Sequence, residues 1–288
     1  MIVRFKIEEE GYRIKRYLIK QGIPDHVFKE IRSGNGQYLV NDQIVDNHFL
    51  LRPGDLLEVV MPASDQGENI VSTLGDFEIV YEDSYLLVIN KESGIATIPT
   101  RKHYENSLAN YVMSYYKRMG IEANIHFVSR LDAPTSGLIM LAKNSYVLTL
   151  LKDAGIIKKY MLEVIGHMDK TNGIIECGII KEEGSIIKRT ITNEFINSKT
   201  IYEVKGENKK NSLVLATLCT GKTHQLRLHF SSSGCPIVGD ELYGTKIKDG
   251  ILHLHSCYLE FVHPITKEKI ILKSSPNWLI PDWESIEF

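Results

Sequence analysis

Apolar residues recur with helical spacing near the N-terminus, where two short helices are predicted. Residues 12–20 place Ile14 and Leu18 on one face of a helix and mainly basic side chains on the other. A second helix is predicted over residues 26–32, because Asp25 is a suitable N-cap and glycines follow the segment at once.

Strand-like segments and turns follow these helices and complete a small α/β module. Residues 37–40 and 56–61 have the apolar, β-branched character of strands. Asn41-Asp42 and residues 51–55 (LRPGD) are rich in residues that favour turns. We assign residues 1–62 to this module.

A polar, turn-rich segment at residues 63–76 is predicted to be a linker. Beyond it, strands and helices alternate over residues 77–288, which indicates one larger domain that contains both kinds of element. The predicted strands span residues 77–83, 85–92, 138–142 and 158–166, and the predicted helices span residues 107–120 and 145–153.

Composition excludes several classes of protein. The chain has 288 residues, of which 43% are hydrophobic and 24% charged, and it has no apolar stretch as long as a membrane span. The first residues, MIVRFKIEEE, lack the apolar core of a signal peptide. The cysteines are far apart and show no metal-type spacing, which favours reduced thiols in a cytoplasmic protein. They are Cys177, Cys219, Cys235 and Cys257.

A net charge of −2 does not by itself indicate a nucleic-acid partner, so RNA affinity would require a local basic surface. Residues 11–32 supply one, since six of their side chains are Lys or Arg and only two are acidic. Arg13, Arg16 and Lys20, on the outward face of the first predicted helix, are candidates for RNA binding. The alternative is a solvated charged face without a partner.

A single carboxylate lies in a tight bend between two apolar segments, in the sequence VSRLDAPTSGL (residues 128–138). Pro134 restrains the residue before it, while Thr135 and Gly137 can complete the bend. The loop would hold Asp132 at the end of a strand. From the loop alone, Asp132 is either a functional carboxylate or the cap of its own turn.

Further segments carry candidate chemistry. Lys158 and Lys159 precede Tyr160 at the start of a predicted strand. Residues 223–229 (THQLRLH) are predicted to lie on a helix, and a loop with the sequence GCPIVGDELY follows. Residues 252–264 (LHLHSCYLEFVHP) are predicted to form a pair of strands that closes the domain.

These segments resemble the motifs of the RluA-type pseudouridine synthases. The matching pieces are SRLDAPTSGL, KKYMLEVIG, TGKTHQLRLH, GCPIVGDELYG and LHSCYLEFVHP, collinear from about residue 77 to about residue 275. The N-terminal module resembles the S4 RNA-binding domain through RIKRYLIKQG, VFKEIRSGNGQYLVNDQIV and RPGDLLEV. The two resemblances imply an α+β fold, in which helices flank a mixed, mainly antiparallel central sheet, preceded by a small α/β S4-like domain.

The resemblance implies an enzyme that isomerises uridine to pseudouridine in structured RNA without a cofactor. It implies that Asp132 is the nucleophile and that Arg227 pairs with it. Whether Asp132 attacks the sugar or first helps to remove a proton from it stays open. Tyr160 corresponds to a residue that stacks on the flipped uracil and is a candidate acid or base at C5.

Several other positions are expected to contact RNA, either ribosomal RNA or transfer RNA, in a protein that we expect to be monomeric. Arg130 would fill the gap left by the flipped base or hold the adjacent phosphate. Ser129 departs from the family's common His, and Lys222 replaces a frequent Arg, which removes planar two-point phosphate binding. The remaining expected RNA contacts are Thr135, Lys158, Lys159 and His224.

Alternative functions remain to be weighed. A catalytically silent RNA-binding or ribosome-assembly factor could use the same scaffold. A carboxylate glycosidase would need a second acid flanking the bond, and the sequence shows no obvious partner for Asp132. A zinc site would need three or four convergent ligands, and none is predicted. The histidines considered for it are His224, His229, His253 and His255.

Overall fold

Two sheets organise the chain, one of four strands in the N-terminal module and one of eleven strands in the larger C-terminal domain. The computed structural model describes residues 2–23, 25–33, 36–61, 70–100, 103–152, 154–244 and 250–279. The side chain of His26, residue 62 and the first half of the predicted linker, residues 63–69, lie outside this described part.

The N-terminal module consists of two helices and an antiparallel sheet in the order β1-β4-β2-β3. Asn41 and Asp42 both have positive φ, 51° and 65°, as expected in the turn of a tight hairpin. The elements are β1 (Ile2–Lys6), α1 (Ile14–Lys20), α2 (Asp25–Ser33), β2 (Gln37–Val40), β3 (Gln43–Val45) and β4 (Leu56–Val60).

The predicted helices of this module are confirmed, with one correction. Ile14 and Leu18 are fully buried, while Arg13 and Arg16 are exposed. Asp25, which we expected to cap α2 from outside, is the first residue of that helix. Strand β1 was not predicted, because charged residues interrupt its short apolar pattern.

The N-terminal module packs against the C-terminal domain. Tyr146 is buried in the module's hydrophobic cluster, and Leu150 and Ile265 pack against the same cluster. The Ser145 hydroxyl donates a 2.7 Å hydrogen bond to Glu30 on α2. Apolar burial of this kind stabilises a fixed arrangement of two domains.

The C-terminal domain is built on a mixed sheet in the order β11-β10-β12-β13-β9-β14-β8-β6-β5, with β15 beside β14 and β7 beside β8. Its pairings are antiparallel except for β14 with β8, so the predicted fold class is confirmed. The strands are β5 (Glu78–Glu82), β6 (Leu86–Lys91), β7 (His126–Phe127), β8 (Ser136–Ala142), β9 (Ile157–Ile165), β10 (Asn172–Lys181), β11 (Arg189–Thr192), β12 (Ser198–Glu207), β13 (Asn211–Leu218), β14 (Leu254–Val262) and β15 (Lys269–Lys273).

Three helices accompany this sheet, and none of the described helices is long and apolar enough to span a membrane. Gly120 ends α3 in the left-handed conformation, with φ of 63°, as the sequence predicts. The helices are α3 (Leu108–Met119), α4 (Ser145–Lys152) and α5 (Gln225–Ser232). The last residue predicted for α4, Asp153, lies outside the described residues.

One prediction for this domain is wrong, and another has an incorrect boundary. Residues 252–264 do not form a strand pair: they contain the single strand β14, which pairs with β8, β9 and β15. The predicted helix over residues 223–229 begins only at Gln225, because His224 has φ of 59° and cannot extend it. The four strands β10 to β13 were also missed.

Candidate active site

The loop that carries Asp132 is fixed from several sides. The amide of Thr135 donates to the carbonyl of Asp132, which closes the bend. The Thr97 hydroxyl donates to the carbonyl of Leu131 at 2.6 Å. Among the described residues, no loop amide is recorded as a donor to the Asp132 carboxylate, so this side chain does not cap its own turn.

Lys91, at the end of β6, also helps to fix the loop that carries Asp132. Its side chain is buried, and Nζ donates to the carbonyls of Glu92, Ile95 and Ala133 at 2.8, 2.9 and 3.1 Å. Burial lowers the pKa of Lys91 to about 7, whereas Asp132 and Glu92 act to raise it. Three carbonyl acceptors also favour the ammonium, which has three protons to donate.

Arg227, on α5, lies between two carboxylates. Its Nε and Nη2 donate to both oxygens of Asp240 at 2.8 and 2.7 Å. Its Nη1 lies 3.5 Å from Oδ2 of Asp132. Burial would raise the pKa of Asp240, but the hydrogen bonds from Arg227 lower it below its ordinary value. Arg227 therefore approaches Asp132 as expected, but Asp240 is its bidentate partner.

Tyr160, in β9, faces the same cleft. Its side chain is 6% exposed and packs in the main hydrophobic cluster. Burial raises its pKa far above the ordinary value, and the negative charge of Asp132 acts in the same direction. The phenol is therefore neutral at physiological pH.

A cleft of about 830 Å³ brings these groups together. A cavity of this size accommodates a drug-sized or nucleotide-sized ligand. Eight of the residues expected at the site line it: Arg130, Asp132, Thr135, Lys158, Tyr160, Lys222, His224 and Arg227.

Comparison with known proteins gives the site its context. The sequence profile of the family described as RNA pseudouridylate synthase matches residues 85–232, which include Asp132, Tyr160 and Arg227. A Bacillus subtilis protein, named as the uncharacterized RNA pseudouridine synthase YjbO, is 36% identical over 262 residues, or 89% of this chain and 93% of that protein. The chain belongs to the RNA pseudouridylate synthase family. It is thus an isomerase that acts on RNA.

Two other relatives agree with this assignment. The ribosomal large subunit pseudouridine synthase C of Vibrio cholerae is 30% identical to this synthase over 284 residues, covering 90% of this chain and 88% of that protein. The structure of human RNA pseudouridylate synthase domain containing 1 superposes with a TM-score of 0.58 at 24% identity, covering 72% of this chain and 86% of that one. The second match supports the fold alone.

The expected RNA contacts of the synthase do not all share one surface. Lys158 and Tyr160 point into the cleft, as residues two apart on a strand must. Lys159 lies on the other face, where its Nζ sits 4.9 Å from the centre of the Tyr258 ring. Burial lowers the pKa of Lys158, and no ion pair is recorded for it among the described residues. The ammonium group of Lys158 is therefore available to pair with a phosphate group.

The basic residues of α1 lie apart from the cleft lining. Arg13 and Arg16 are exposed, while the ammonium of Lys20 pairs with Glu9. Lys15 lies 3.9 Å from Asp25. Arg13 and Arg16 are therefore the α1 cations most available to an external anion.

The histidines considered for a metal site have other neighbours. His253 stacks on Trp278 and shares a 2.7 Å hydrogen bond with Glu163. His255 lies between the hydroxyls of Ser136 and Ser274. Within the described residues, no three His, Cys, Asp or Glu side chains are grouped to hold a metal.

Three residues at or beside the site were not predicted from the sequence: Lys91, Asp240 and Tyr243. Lys91 ends a largely apolar strand, LLVINK, and such a lysine is a signal for a buried charge with a defined partner. Asp240 and Tyr243 belong to the quoted segment GDELY, but the sequence of that segment does not indicate which residues they contact. The Tyr243 hydroxyl lies 2.8 Å from Nδ1 of His224, at the edge of the cleft.

Proposed function

We propose that this synthase isomerises one uridine of ribosomal RNA, with Asp132 as the nucleophile and Arg227 as its cationic partner. The observation that carries the proposal is the 3.5 Å approach of Arg227 Nη1 to Asp132 Oδ2, inside a cleft that Tyr160 also lines. The choice of ribosomal RNA rests on relatives named for the ribosomal large subunit, such as that of Vibrio cholerae.

The reaction breaks the N1–C1′ bond, turns the uracil and joins C5 to C1′, and the proton released from C5 is balanced by one taken up at N1. Either role of Asp132, attack on the sugar or proton removal from it, requires an ionised carboxylate. The guanidinium of Arg227 lies 3.5 Å from Oδ2 of that carboxylate. Its contact with Asp132 is long enough for the carboxylate to move towards the substrate.

Tyr160 is suited to contact the flipped base. The buried ring can stack on uracil, and its hydroxyl is the group that we assign to proton transfer at C5. Because burial raises its pKa, the phenol starts protonated and must pass its own proton on before it accepts another.

Cations around the cleft would offset the cost of extruding the base. Flipping a stacked nucleotide costs a few kcal/mol, and phosphate contacts can supply that energy. We assign this role to Arg130, Lys158 and Lys222, which line the cleft. Lys158 is the best placed, since it is half-buried and has no recorded acidic neighbour within the described part of the chain.

We also propose that the N-terminal module is an S4-like RNA-binding domain. The exposed guanidinium groups of Arg13 and Arg16 on α1 support an RNA contact, and the packing of Tyr146 into the module gives it a fixed position beside the C-terminal domain. We expect the protein to act as a monomer in the cytoplasm, and sedimentation and cell fractionation would test both points.

The glycosidase alternative needs a protonated acid opposite the nucleophile. Asp240 is the carboxylate nearest to that role, since both it and Asp132 approach Arg227. Its lowered pKa and its two hydrogen bonds from Arg227 keep it ionised and engaged. This argues against glycoside hydrolysis by the pair.

The decisive experiment compares Asp132→Asn with the wild type on ribosomal RNA labelled with tritium at uracil C5. Isomerisation releases that tritium to water, because C5 becomes bonded to C1′. We expect no release by Asp132→Asn and unchanged RNA binding, while Asp169→Asn, at an exposed aspartate that does not line the cleft, keeps wild-type activity.

Turnover by Asp132→Asn would disprove the nucleophile assignment. Mapping pseudouridine in cells with and without the gene identifies the substrate. Loss of a site in transfer RNA alone would replace ribosomal RNA in the proposal, and loss of no site would favour a catalytically silent RNA-binding factor.

A further inference from the structure

His224 has an unusual backbone conformation at the edge of the cleft. It immediately precedes α5 with φ of 59°, a region that non-glycine residues rarely adopt. Asn41 and Asp42, which share this feature, form a hairpin turn, whereas His224 lines the candidate active site. Strain of this kind persists where surrounding contacts hold it, and it often marks a functional position.

A chain of polar groups leads from β11 through His224 to Asp132. The backbone amide of Arg189 donates to the Tyr243 hydroxyl at 2.8 Å. That hydroxyl lies 2.8 Å from Nδ1 of His224. On the other side of the ring, Nε2 of His224 lies 3.7 Å from Oδ2 of Asp132.

The direction of these hydrogen bonds follows from the donor at one end and the acceptor at the other. The Tyr243 oxygen accepts from Arg189, and within the described residues His224 Nδ1 is the one acceptor recorded for its proton. If Nδ1 accepts, the ring proton of a neutral histidine is on Nε2. That N–H then faces a carboxylate, whereas the opposite tautomer would turn a lone pair towards Asp132.

The charge on His224 depends on groups from several elements. Burial lowers its pKa most strongly, Asp132 and Asp240 act to raise it, and Arg227 and Arg189 act to lower it. The net direction is downward from 6.5, so the ring is neutral at pH 7 and above.

We propose that His224 is a positioning residue, locked by Tyr243 and the Arg189 amide in the neutral Nε2–H tautomer so that it directs an N–H at Oδ2 of Asp132. This inference rests on the proposed role of Asp132 as the nucleophile. The donor and Arg227 Nη1 approach the same oxygen, Oδ2, so both favour one orientation of the carboxylate towards the substrate without holding it rigidly.

The tautomer is measured directly by nitrogen NMR on the full-length protein labelled with ¹⁵N-histidine, at pH 7.5. His224→Gln identifies the His224 signals by their absence. We expect an unprotonated Nδ1 and a protonated Nε2 in the wild type, and a mixture of tautomers in Tyr243→Phe. A protonated Nδ1 in the wild type, alone or in an imidazolium, would overturn the inference.

This measurement needs no substrate, so it separates the inference from the proposed function. Activity in Asp132→Asn would refute the nucleophile and leave the tautomer as observed. The wrong tautomer would refute the role of His224 and leave the isomerase assignment untouched.

Kinetics test the consequence for catalysis. We expect Tyr243→Phe and His224→Leu to lower the single-turnover rate by about 10- to 100-fold, the factor that a hydrogen bond to a charged group is worth, with little change in the Kd for RNA. His224→Gln retains an N–H donor, so its rate should fall less than that of His224→Leu. Because glutamine does not titrate, any change of rate with pH that the His224 ring causes should be absent in this variant.

Tyr115→Phe is the matched control, since it removes a 2.6 Å hydrogen bond from a tyrosine to Glu82 outside the cleft lining. It should keep the wild-type rate and pH profile. Wild-type rates and pH profiles in both Tyr243→Phe and His224→Leu would disprove the positioning role.

Discussion

Replacing Asp240 by Asn should destabilise the protein far more than replacing Asp132, although both aspartates approach the same arginine. Asp240 is 1% exposed, and it receives two hydrogen bonds from Arg227, which is 6% exposed. Removing one partner of a buried ion pair leaves an uncompensated charge and costs about 3–5 kcal/mol. The Asp132 carboxylate is 28% exposed and 3.5 Å from the guanidinium, so its loss should cost less than about 1 kcal/mol.

Urea unfolding followed by circular dichroism measures both values. Asp240→Asn should lower the free energy of unfolding by about 3–5 kcal/mol, and Asp132→Asn should leave it almost unchanged while abolishing isomerisation. The double variant Arg227→Met/Asp240→Leu should recover part of the loss, because it leaves no buried charge unpaired. A loss below about 1 kcal/mol for Asp240→Asn, or equal losses for the two aspartates, would refute this division of roles.

The pH dependence of the same pair has a defined sign. Arg227 holds the folded-state pKa of Asp240 below the ordinary value of 3.8. A depressed carboxyl pKa contributes stability that is present above 3.8 and is lost as the pH falls through the lower, folded-state value. The difference in stability between wild type and Asp240→Asn should therefore be constant from pH 5 to 7 and shrink only in stronger acid.

Three further predictions concern lysines and arginines. Lys91→Met should lower the melting temperature and the rate of isomerisation, because three carbonyls lose their donor at a cost of about 1–3 kcal/mol each when buried. Lys117→Met, at an exposed position of α3, should change neither quantity. Lys158→Met should reduce the slope of log K against log salt by about one unit, while Lys159→Met, on the opposite face of β9, should not; equal slopes would remove Lys158 from the RNA contact. Arg13→Gln/Arg16→Gln should reduce that slope by up to about two units without changing the rate at saturating RNA, and an unchanged slope, equal to that of Lys117→Gln/Arg118→Gln, would remove the N-terminal module from RNA binding.

Much of the site was predictable because its motifs are local. The motifs each contribute residues to the cleft, and their collinear order indicated that Asp132, Tyr160 and Arg227 belong together. The orientation of Lys158 and Lys159 was also available, since strand alternation places only Lys158 on the face of Tyr160. The prediction that both lysines contact RNA overlooks this alternation.

The rest depends on contacts between distant segments, which no local pattern encodes. Strands β11 and β12 are rich in charged and polar residues, and β13 has a continuous apolar run, so none of the three alternates clearly. The antiparallel pairing of β10, β12 and β13 supplies what propensity does not. The predicted helix over residues 223–229 begins two residues later than expected for a related reason. Its sequence has helical spacing, but the contact of His224 with Tyr243 accompanies a left-handed backbone conformation that cannot belong to the helix.

The two aspartates show why such contacts matter for the proposed reaction. A carboxylate bound tightly by two hydrogen bonds, as Asp240 is, cannot leave its partner to meet a sugar. Asp132 lies 3.5 Å from Arg227 and 3.7 Å from His224. At these distances the groups interact electrostatically, but no hydrogen bond fixes their geometry. Asp240 fixes the guanidinium, and the fixed guanidinium lies 3.5 Å from Asp132 without immobilising it. The two carboxylates therefore differ in how tightly the same guanidinium holds them.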